Sequence, residues 1–374
     1  MKKLTDAVLL VGTPTATSDL RYVTGFSGVD AVVCLVSSAG AYLVVPLMEL
    51  GRARREVNKG VRVLTPGHLV PRKGDERRLS AWVLGLLRHV GVRRVRVPPA
   101  FPLGIARRLE GAGIVLRVAR RALFPERAEK TAMELKKMRV VQRAAVAAMR
   151  AAVREIARAR TDPEGYLVVG AKRLTAEDVR RIIDGELLSR NCVAPETIVA
   201  CGALSADPHE PGHGPLRAGQ PIVIDIFPRH RAHGYWGDLT RTVVRGRSPE
   251  AVRKMFAAVK AAQQAGLAQM RAGAAVGKIH HTVEREFSAR GFKTTRTAER
   301  AEGFTHSTGH GVGLDIHERP SVGAGRDRLK KGNVVTIEPG LYYRGVGGVR
   351  IEDVVVVTAR GWRYLATMGK RLEV

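Results

Sequence analysis

Residues 306–318 read His306-Ser307-Thr308-Gly309-His310-Gly311-Val312-Gly313-Leu314-Asp315-Ile316-His317-Glu318. Three histidines are interleaved with three glycines, which let the backbone approach a ligand closely or adopt positive φ. A lone histidine is more often a surface or core residue. Three at positions 306, 310 and 317 can face one cavity.

Outward from this segment lie carboxylates in strand-like settings. Asp225 ends the apolar run Pro221-Ile222-Val223-Ile224, and Asp238 begins Asp238-Leu239-Thr240-Arg241-Thr242-Val243-Val244. Glu338 ends Val334-Val335-Thr336-Ile337, and Glu352 lies in Val349-Arg350-Ile351-Glu352-Asp353, just before Val354–Val357. A carboxylate inside an apolar strand costs several kcal/mol unless it is paired or bound to metal. One is readily a satisfied structural charge; four beside a glycine-wrapped histidine segment are hard to explain that way. Carboxylate oxygens with one imidazole suit Mn, Co, Zn or Fe in a two-metal hydrolytic site.

The frame around these residues is α/β (α+β). Ala7–Gly12 reads as a first strand; with Lys2 and Lys3 before it, it is too short for a signal peptide and lacks a cleavage site. Asp30–Val36 and Ala41–Val45 are split by Ser37-Ser38-Ala39-Gly40, a hairpin pattern. Arg77–Val90 has helical apolar spacing and ends at Gly91, and Val92–Val97 alternates as a half-buried strand stopped by Pro98-Pro99. A helix at Leu103–Leu109 and a strand at Ile114–Val118 complete a first domain. A long helix runs from about Lys130 to Arg160, with Met133, Met138, Val141, Ala145 and Met149 as its expected buried stripe. Further helices are expected over Ala176–Arg190, opened by a capping box of Thr175 and Asp178, over Glu250–Arg271, and over Val276–Arg290. The change of texture near Pro125–Lys130 divides the chain into 1–125 and 126–374.

Composition narrows the function. The 374 residues are 45% hydrophobic and 26% charged, enough for a real core, and no apolar run approaches the roughly 18 residues that span a bilayer. Cys34, Cys192 and Cys201 are too few for a disulfide framework, which suits a reducing cytoplasm. The net charge of +28 raises nucleic-acid binding, but the basic clusters (Arg52–Arg55, Arg93–Arg96, Arg117–Arg121) are short and separated, and aromatics are only 5%. A solvated basic surface is the favoured reading, with nucleic acid an unlikely partner.

Taken together, these stretches resemble the metallopeptidases of the pita-bread fold, specifically the Xaa-Pro peptidases: prolidase (Xaa-Pro dipeptidase) and aminopeptidase P. Ser18-Asp19-Leu20-Arg21-Tyr22-Val23-Thr24-Gly25-Phe26 is similar to the opening of the creatinase/prolidase N-terminal domain, and Glu129-Lys130-Thr131 through Glu134-Leu135 to the entry into the catalytic domain. Val223–Asp225, Asp238–Thr242, His306–His317, Ile337–Gly340 and Arg350–Asp353 match five metal-binding stretches in order. Singly they are weak; in this order they are specific.

The resemblance implies a small N-terminal domain followed by a pita-bread catalytic domain, and two divalent metal ions (Mn, Co, Zn or Fe, with Mn favoured) held by Asp225, Asp238, His310, Glu338 and Glu352. It implies that the metals activate water and that Glu338 passes the water's proton to the leaving proline nitrogen. His209, His306 and His317 would bind substrate and stabilise the oxyanion, Arg350 would orient substrate or a carboxylate, and Thr240 would support the metal shell. The expected function is an Xaa-Pro dipeptidase acting on short proline-containing peptides, cytoplasmic and homodimeric. The alternatives are an Xaa-Pro aminopeptidase acting on longer peptides, and a catalytically inactive binding protein of the same fold.

Three features depart from the pattern. Asp225 and Asp238 lie 13 positions apart, so the basic, histidine-rich loop Phe227–Gly237 is longer than expected; it either reshapes the pocket or is a benign hairpin extension. In Glu318-Arg319-Pro320-Ser321 the arginine falls earlier than the one that holds a proline carboxylate in dipeptidases resembling archaeal prolidase. His213 has no assignable role and reads as a solvated loop residue.

Overall fold

The apolar run of the first strand, β1 (Ala7–Gly12), follows from where it lies. It sits inside a six-stranded mixed sheet with both faces covered, so Val8 and Leu10 enter one core and Leu9 and Val11 the other. The structure is a computed structural model and describes residues 7–70 and 77–374; Lys2 and Lys3 fall outside them. The chain separates into two units, Met1–Arg127 and Ala128–Val374.

In the first unit, α1 (Ser18–Thr24) is followed by β2 (Val32–Ser37), β3 (Gly40–Val44), α2 (Leu50–Glu56), β4 (Val61–Leu64), α3 (Leu79–Val90), β5 (Arg94–Val97), α4 (Leu103–Gly111) and β6 (Val115–Val118). The strand order is β4-β3-β2-β1-β5-β6. The expected hairpin forms with Ser37 opposite Gly40, and the Ser37 hydroxyl accepts the Ala39 N–H at 3.2 Å. Leu20, Phe26 and Ala53 cover one face, and Trp82, Leu86 and Leu109 the other.

In the second unit, α5 (Ala132–Arg158) and α6 (Ala176–Leu188) pack together beside an antiparallel sheet of Ile198–Cys201, Ile222–Ile226 and Leu239–Val243. The helices α7 (Glu250–Ala268) and α8 (Val276–Ala289) pack together beside a five-stranded sheet. Its order is Glu318–Val322, Gly309–Gly311, Val334–Ile337, Asp353–Val357, Trp362–Tyr364. A hairpin of Gly340–Tyr343 and Gly347–Arg350 lies between the two halves, and the Arg350 N–H donates to the Thr242 hydroxyl at 3.0 Å. Two helix pairs and two sheets thus meet along a seam of strand ends. Among the described residues no helix is long and apolar enough to cross a membrane.

Two capping boxes start the helices of the first half: Thr131 with Glu134, and Thr175 with Asp178. The α5 stripe is Met138, Val141, Ala145, Met149, Ala152 and Ile156, all fully buried. Met133 does not belong to it and is 62% exposed. Five positions separate it from Met138, which rotates it by about 140° off the buried face at 3.6 residues per turn. Met149→Ala is therefore expected to destabilise the protein by about 2–5 kcal/mol. Met133→Ala should stay within about 0.5 kcal/mol. Equilibrium urea unfolding of the two variants checks this, and equal losses would refute the assignment of faces.

Candidate metal centre

The seam collects the carboxylates read from the sequence. Asp225 is in the Ile222–Ile226 strand opposite Thr240, and Asp238 immediately precedes the next strand. Glu338 follows Val334–Ile337, and Glu352 falls between Gly347–Arg350 and Asp353–Val357. His310 occupies the middle of Gly309–Gly311. Ligand atoms of Asp238, His310 and Glu352 all lie within 4.8 Å of one another. The His310 Nε2 is 3.2 Å from Glu338 Oε1 and 3.6 Å from Asp238 Oδ2. Asp225 joins the group through charge, raising the carboxyls of both Asp238 and Glu352.

Each side chain is held from behind. The Asp238 backbone is gripped by the buried Gln142 amide: its N–H donates to Oε1 at 2.9 Å, and its carbonyl accepts from Nε2 at 2.6 Å. The Thr240 hydroxyl donates to Glu352 Oε2 at 2.7 Å, and the Thr336 hydroxyl donates to Glu338 Oε1 at 3.0 Å. The same Thr336 oxygen accepts the His310 N–H at 2.9 Å. The His310 Nδ1 lies 3.2 Å from its neighbour's carbonyl, Gly311 O. Donation from Nδ1 leaves the Nε2 lone pair free, the tautomer a metal ligand needs.

The electrostatics are those of a cation site. Burial, then repulsion from Asp225 and Glu338, pushes the Asp238 carboxyl well above its ordinary range. Glu352 is raised by burial and by Asp238, Glu338 and Asp225. Glu338 is pushed up to about 7, chiefly by burial, against the pull of Arg350. Asp225 Oδ1 and Glu352 Oε1 are buried without a hydrogen-bond partner. Two buried and two half-buried carboxylates, two of them with an orphaned oxygen, and one imidazole are the donor set that hard and borderline divalent cations take.

The remaining expected residues lie around this cluster. The rings of His310 and His317 meet edge to face at 4.3 Å. The His306 ring is pushed down to about 3, by burial first and then by Arg350. His209 is near enough to lower the basicity of both His306 and His317. Arg350 is buried and donates to Asp225 Oδ2 at 2.7 Å. His213 is a solvated loop residue, as read from the sequence, 3.8 Å from Glu210. Arg319 is 77% exposed at its side chain and bonds to Asp327 at 3.0 Å.

Several functional neighbours escaped the sequence reading. The Tyr342 hydroxyl accepts from Arg350 at 2.8 Å and lies 3.0 Å from His306 Nε2, tying the guanidinium to the histidine. Nothing in Gly340-Leu341-Tyr342-Tyr343 signals that role. Asp353, next to Glu352, points the other way along the strand and pairs with Arg241 at 2.7 Å and Lys370 at 2.9 Å. Gly309 and Gly311 of the histidine segment serve close packing of backbones rather than positive φ. A Cβ on Gly309 would lie 2.0 Å from Thr336 O, and one on Gly311 2.6 Å from Arg319 O. The long basic loop carries a stacked pair, His230 over His233 at 3.7 Å. It is pinned to the histidine segment by Trp236, whose N–H and Nε1–H donate to Gly313 O at 2.8 Å and Leu314 O at 3.1 Å.

Comparison with known proteins agrees with this architecture. The family model for metallopeptidase family M24 matches residues 136–359, and that for the creatinase/prolidase N-terminal domain matches residues 1–119. An Xaa-Pro dipeptidase of Lactobacillus delbrueckii subsp. lactis is 32% identical over 181 residues, 48% of this chain and 46% of that protein. The match thus spans about half of that relative's length. An Xaa-Pro dipeptidase of Pyrococcus horikoshii is 27% identical over 375 residues, 99% of this chain and 95% of that one. The solved prolidase of Pyrococcus horikoshii OT3 superposes with a TM-score of 0.79 at 25% identity, covering 98% of this chain and 95% of the other. A family of this kind implies divalent metal ions, and the buried acidic cluster fits them. The chain belongs to metallopeptidase family M24, with a creatinase/prolidase N-terminal domain ahead of its peptidase domain.

Proposed function

We propose that this protein is a metal-dependent Xaa-Pro dipeptidase, hydrolysing the bond before proline in short peptides. The observation that carries the reading is the convergence of Asp238, His310 and Glu352 on one point, with Glu338 Oε1 3.2 Å from His310 Nε2. The full-length similarity to the Pyrococcus protein supplies the substrate class. An Xaa-Pro bond is a tertiary amide with no N–H to grip. Its hydrolysis therefore favours a site that acts on the carbonyl.

Asp225, Asp238, His310, Glu338 and Glu352 would hold two divalent metals, with Mn²⁺ the favoured ion. Bound there, the metals supply Lewis acidity toward the scissile carbonyl and toward water. Glu338 takes the proton of the attacking water and delivers it to the leaving proline nitrogen. His306, made a neutral donor by burial, and His317 and His209 stabilise the developing oxyanion. Arg350 steadies Asp225, and Thr240 steadies Glu352. Residues 1–125 serve homodimerisation and 126–374 catalysis. The enzyme is cytoplasmic, and its basic surface is solvated rather than a nucleic-acid interface.

One observation favours the second reading, an Xaa-Pro aminopeptidase: Arg319 is turned outward to Asp327, away from any role in holding a terminal carboxylate. A length series on Mn²⁺-reconstituted protein separates the two. A dipeptidase is expected to cleave Met-Pro and Ala-Pro at least 10-fold faster than Xaa-Pro-Yaa, the size of a discrimination of about 1.4 kcal/mol. Faster cleavage of the longer peptides would establish the aminopeptidase. No hydrolysis of any Xaa-Pro peptide would leave a binding protein of the same fold.

A further inference from the structure

The proposed mechanism makes no use of His280, yet this histidine is built into the support of the site. It lies on α8, only 7% exposed, among the buried side chains Val276, Ile279, Val283 and Phe287. A leucine there would extend the apolar stripe without burying polar atoms. The imidazole instead has a polar neighbour at each nitrogen, hydrogen-bonded at Nδ1. Its Nδ1 is 2.8 Å from the Thr308 hydroxyl, and its Nε2 is 3.5 Å from Glu284 Oε1, one turn further along the helix.

Thr308 is where this engagement reaches the chemistry. It is fully buried and sits two residues after His306 and two before His310. Its N–H donates to Val322 O at 2.9 Å, and its carbonyl accepts the Glu338 N–H at 2.9 Å. One residue thus ties together the histidine segment, the neighbouring strand and the backbone of Glu338. Its hydroxyl is its link to α8. A second route runs through packing. The Phe304 ring lies 5.4 Å from His280 and 5.3 Å from Phe287, and stands edge-on to His306 at 5.3 Å.

We propose that His280 is a positioning residue: through Thr308 it fixes the segment that presents His306 and His310 and anchors Glu338. This rests on the Xaa-Pro hydrolase reading for its kinetic consequence, but not for its effect on the metal site. Supporting partners behind metal ligands set ligand orientation, and losing one typically costs about 10–100-fold in metal affinity or activity.

The test uses the full-length protein, Mn²⁺ and Met-Pro. His280→Leu is expected to lower kcat about 10–100-fold with KM little changed, and to weaken Mn²⁺ binding by titration calorimetry about 10-fold. His280→Asn keeps a hydrogen-bonding atom near the Nδ1 position and should recover most of both losses. Thr308→Val keeps the shape of Thr308 and should reproduce the defect even if His280→Leu fails to fold. The double variant should be no worse than either single one, because both cut the same link. A His280→Leu protein that melts earlier but keeps wild-type kcat and Mn²⁺ affinity is a plain core variant and overturns the proposal. So does an asparagine variant no better than leucine. If the wild type fails to cleave Met-Pro while His280→Leu still weakens Mn²⁺ binding, the hydrolase reading falls and the positioning role stands.

Discussion

Glu338→Ala is expected to lower kcat for Met-Pro hydrolysis by about 10²–10⁴-fold, the range lost with a general acid–base group. The carboxylate is assigned two tasks, donor to the metals and carrier of the proton, and no neighbour can take over both. Its surroundings are specific to that position: Thr336 donates to Oε1 at 3.0 Å, and His310 Nε2 stands 3.2 Å from the same oxygen. The fold should survive. Glu338 raises the carboxyls of Asp238 and Glu352, so removing it relieves like-charge repulsion in a buried group. The metal-free variant should therefore melt no lower than the metal-free wild type. Glu338→Gln, which keeps the volume, should be similarly inactive. Circular dichroism beside steady-state kinetics checks both halves, and a near-native rate in either variant would remove Glu338 from the mechanism.

Metal removal should have the second large effect, and its sign with pH follows from the raised carboxyls. A carboxyl whose pKa is higher folded than unfolded binds more protons in the folded state. Its contribution to stability is then lost as pH rises from the unfolded value to the folded one. For Glu338 that window runs from the ordinary 4.5 to about 7, and Asp238 and Glu352 shift in the same direction. The metal-free protein is thus expected to lose stability as pH rises from about 4.5 towards 8, the coupled carboxyls titrating together. A divalent cation removes the reason for the loss, and at 100 times its Kd it adds about 2.7 kcal/mol per site. The increase in Tm on adding Mn²⁺ to chelator-treated protein should therefore be larger at pH 8 than at pH 5. Chelation should also abolish hydrolysis. An Mn²⁺ effect on Tm that is absent, or equal at the two pH values, would refute the cation site.

The two effects share a cause. The cluster is poorly compensated by protein alone: among the described residues Arg350 reaches it through Asp225, and Asp225 Oδ1 and Glu352 Oε1 have no hydrogen-bond partner. Asp353 is the contrast. It is as deeply buried as Glu352, yet Arg241 at 2.7 Å and Lys370 at 2.9 Å neutralise it on the opposite face of the strand. One of these adjacent acids is satisfied by its own chain and the other is not. That difference, rather than burial itself, marks the site.

Much of this was legible in the residues. Binary patterning determined the elements, because the continuous apolar run Ala7–Gly12 needs two covered faces and the stripe of α5 needs one. The chemical donors were legible too, since an acid at the end of an apolar strand is costly enough to need a reason. Met133 was misplaced because a list of apolar residues does not carry helical phase unless every spacing is checked. What only the tertiary structure decided was which atoms face one another. Tyr342, Gln142, Thr336 and His280 act through hydrogen bonds to residues between 26 and 96 positions away or beyond a strand crossing, and no local pattern encodes such pairs. Likewise the pairing of Asp353, and not of its neighbour Glu352, depends on the side of the strand on which Arg241 and Lys370 arrive. A sequence states which side chains carry charge and how each element repeats; their mutual distances, and so their net electrostatic energy, exist only once the chain is folded.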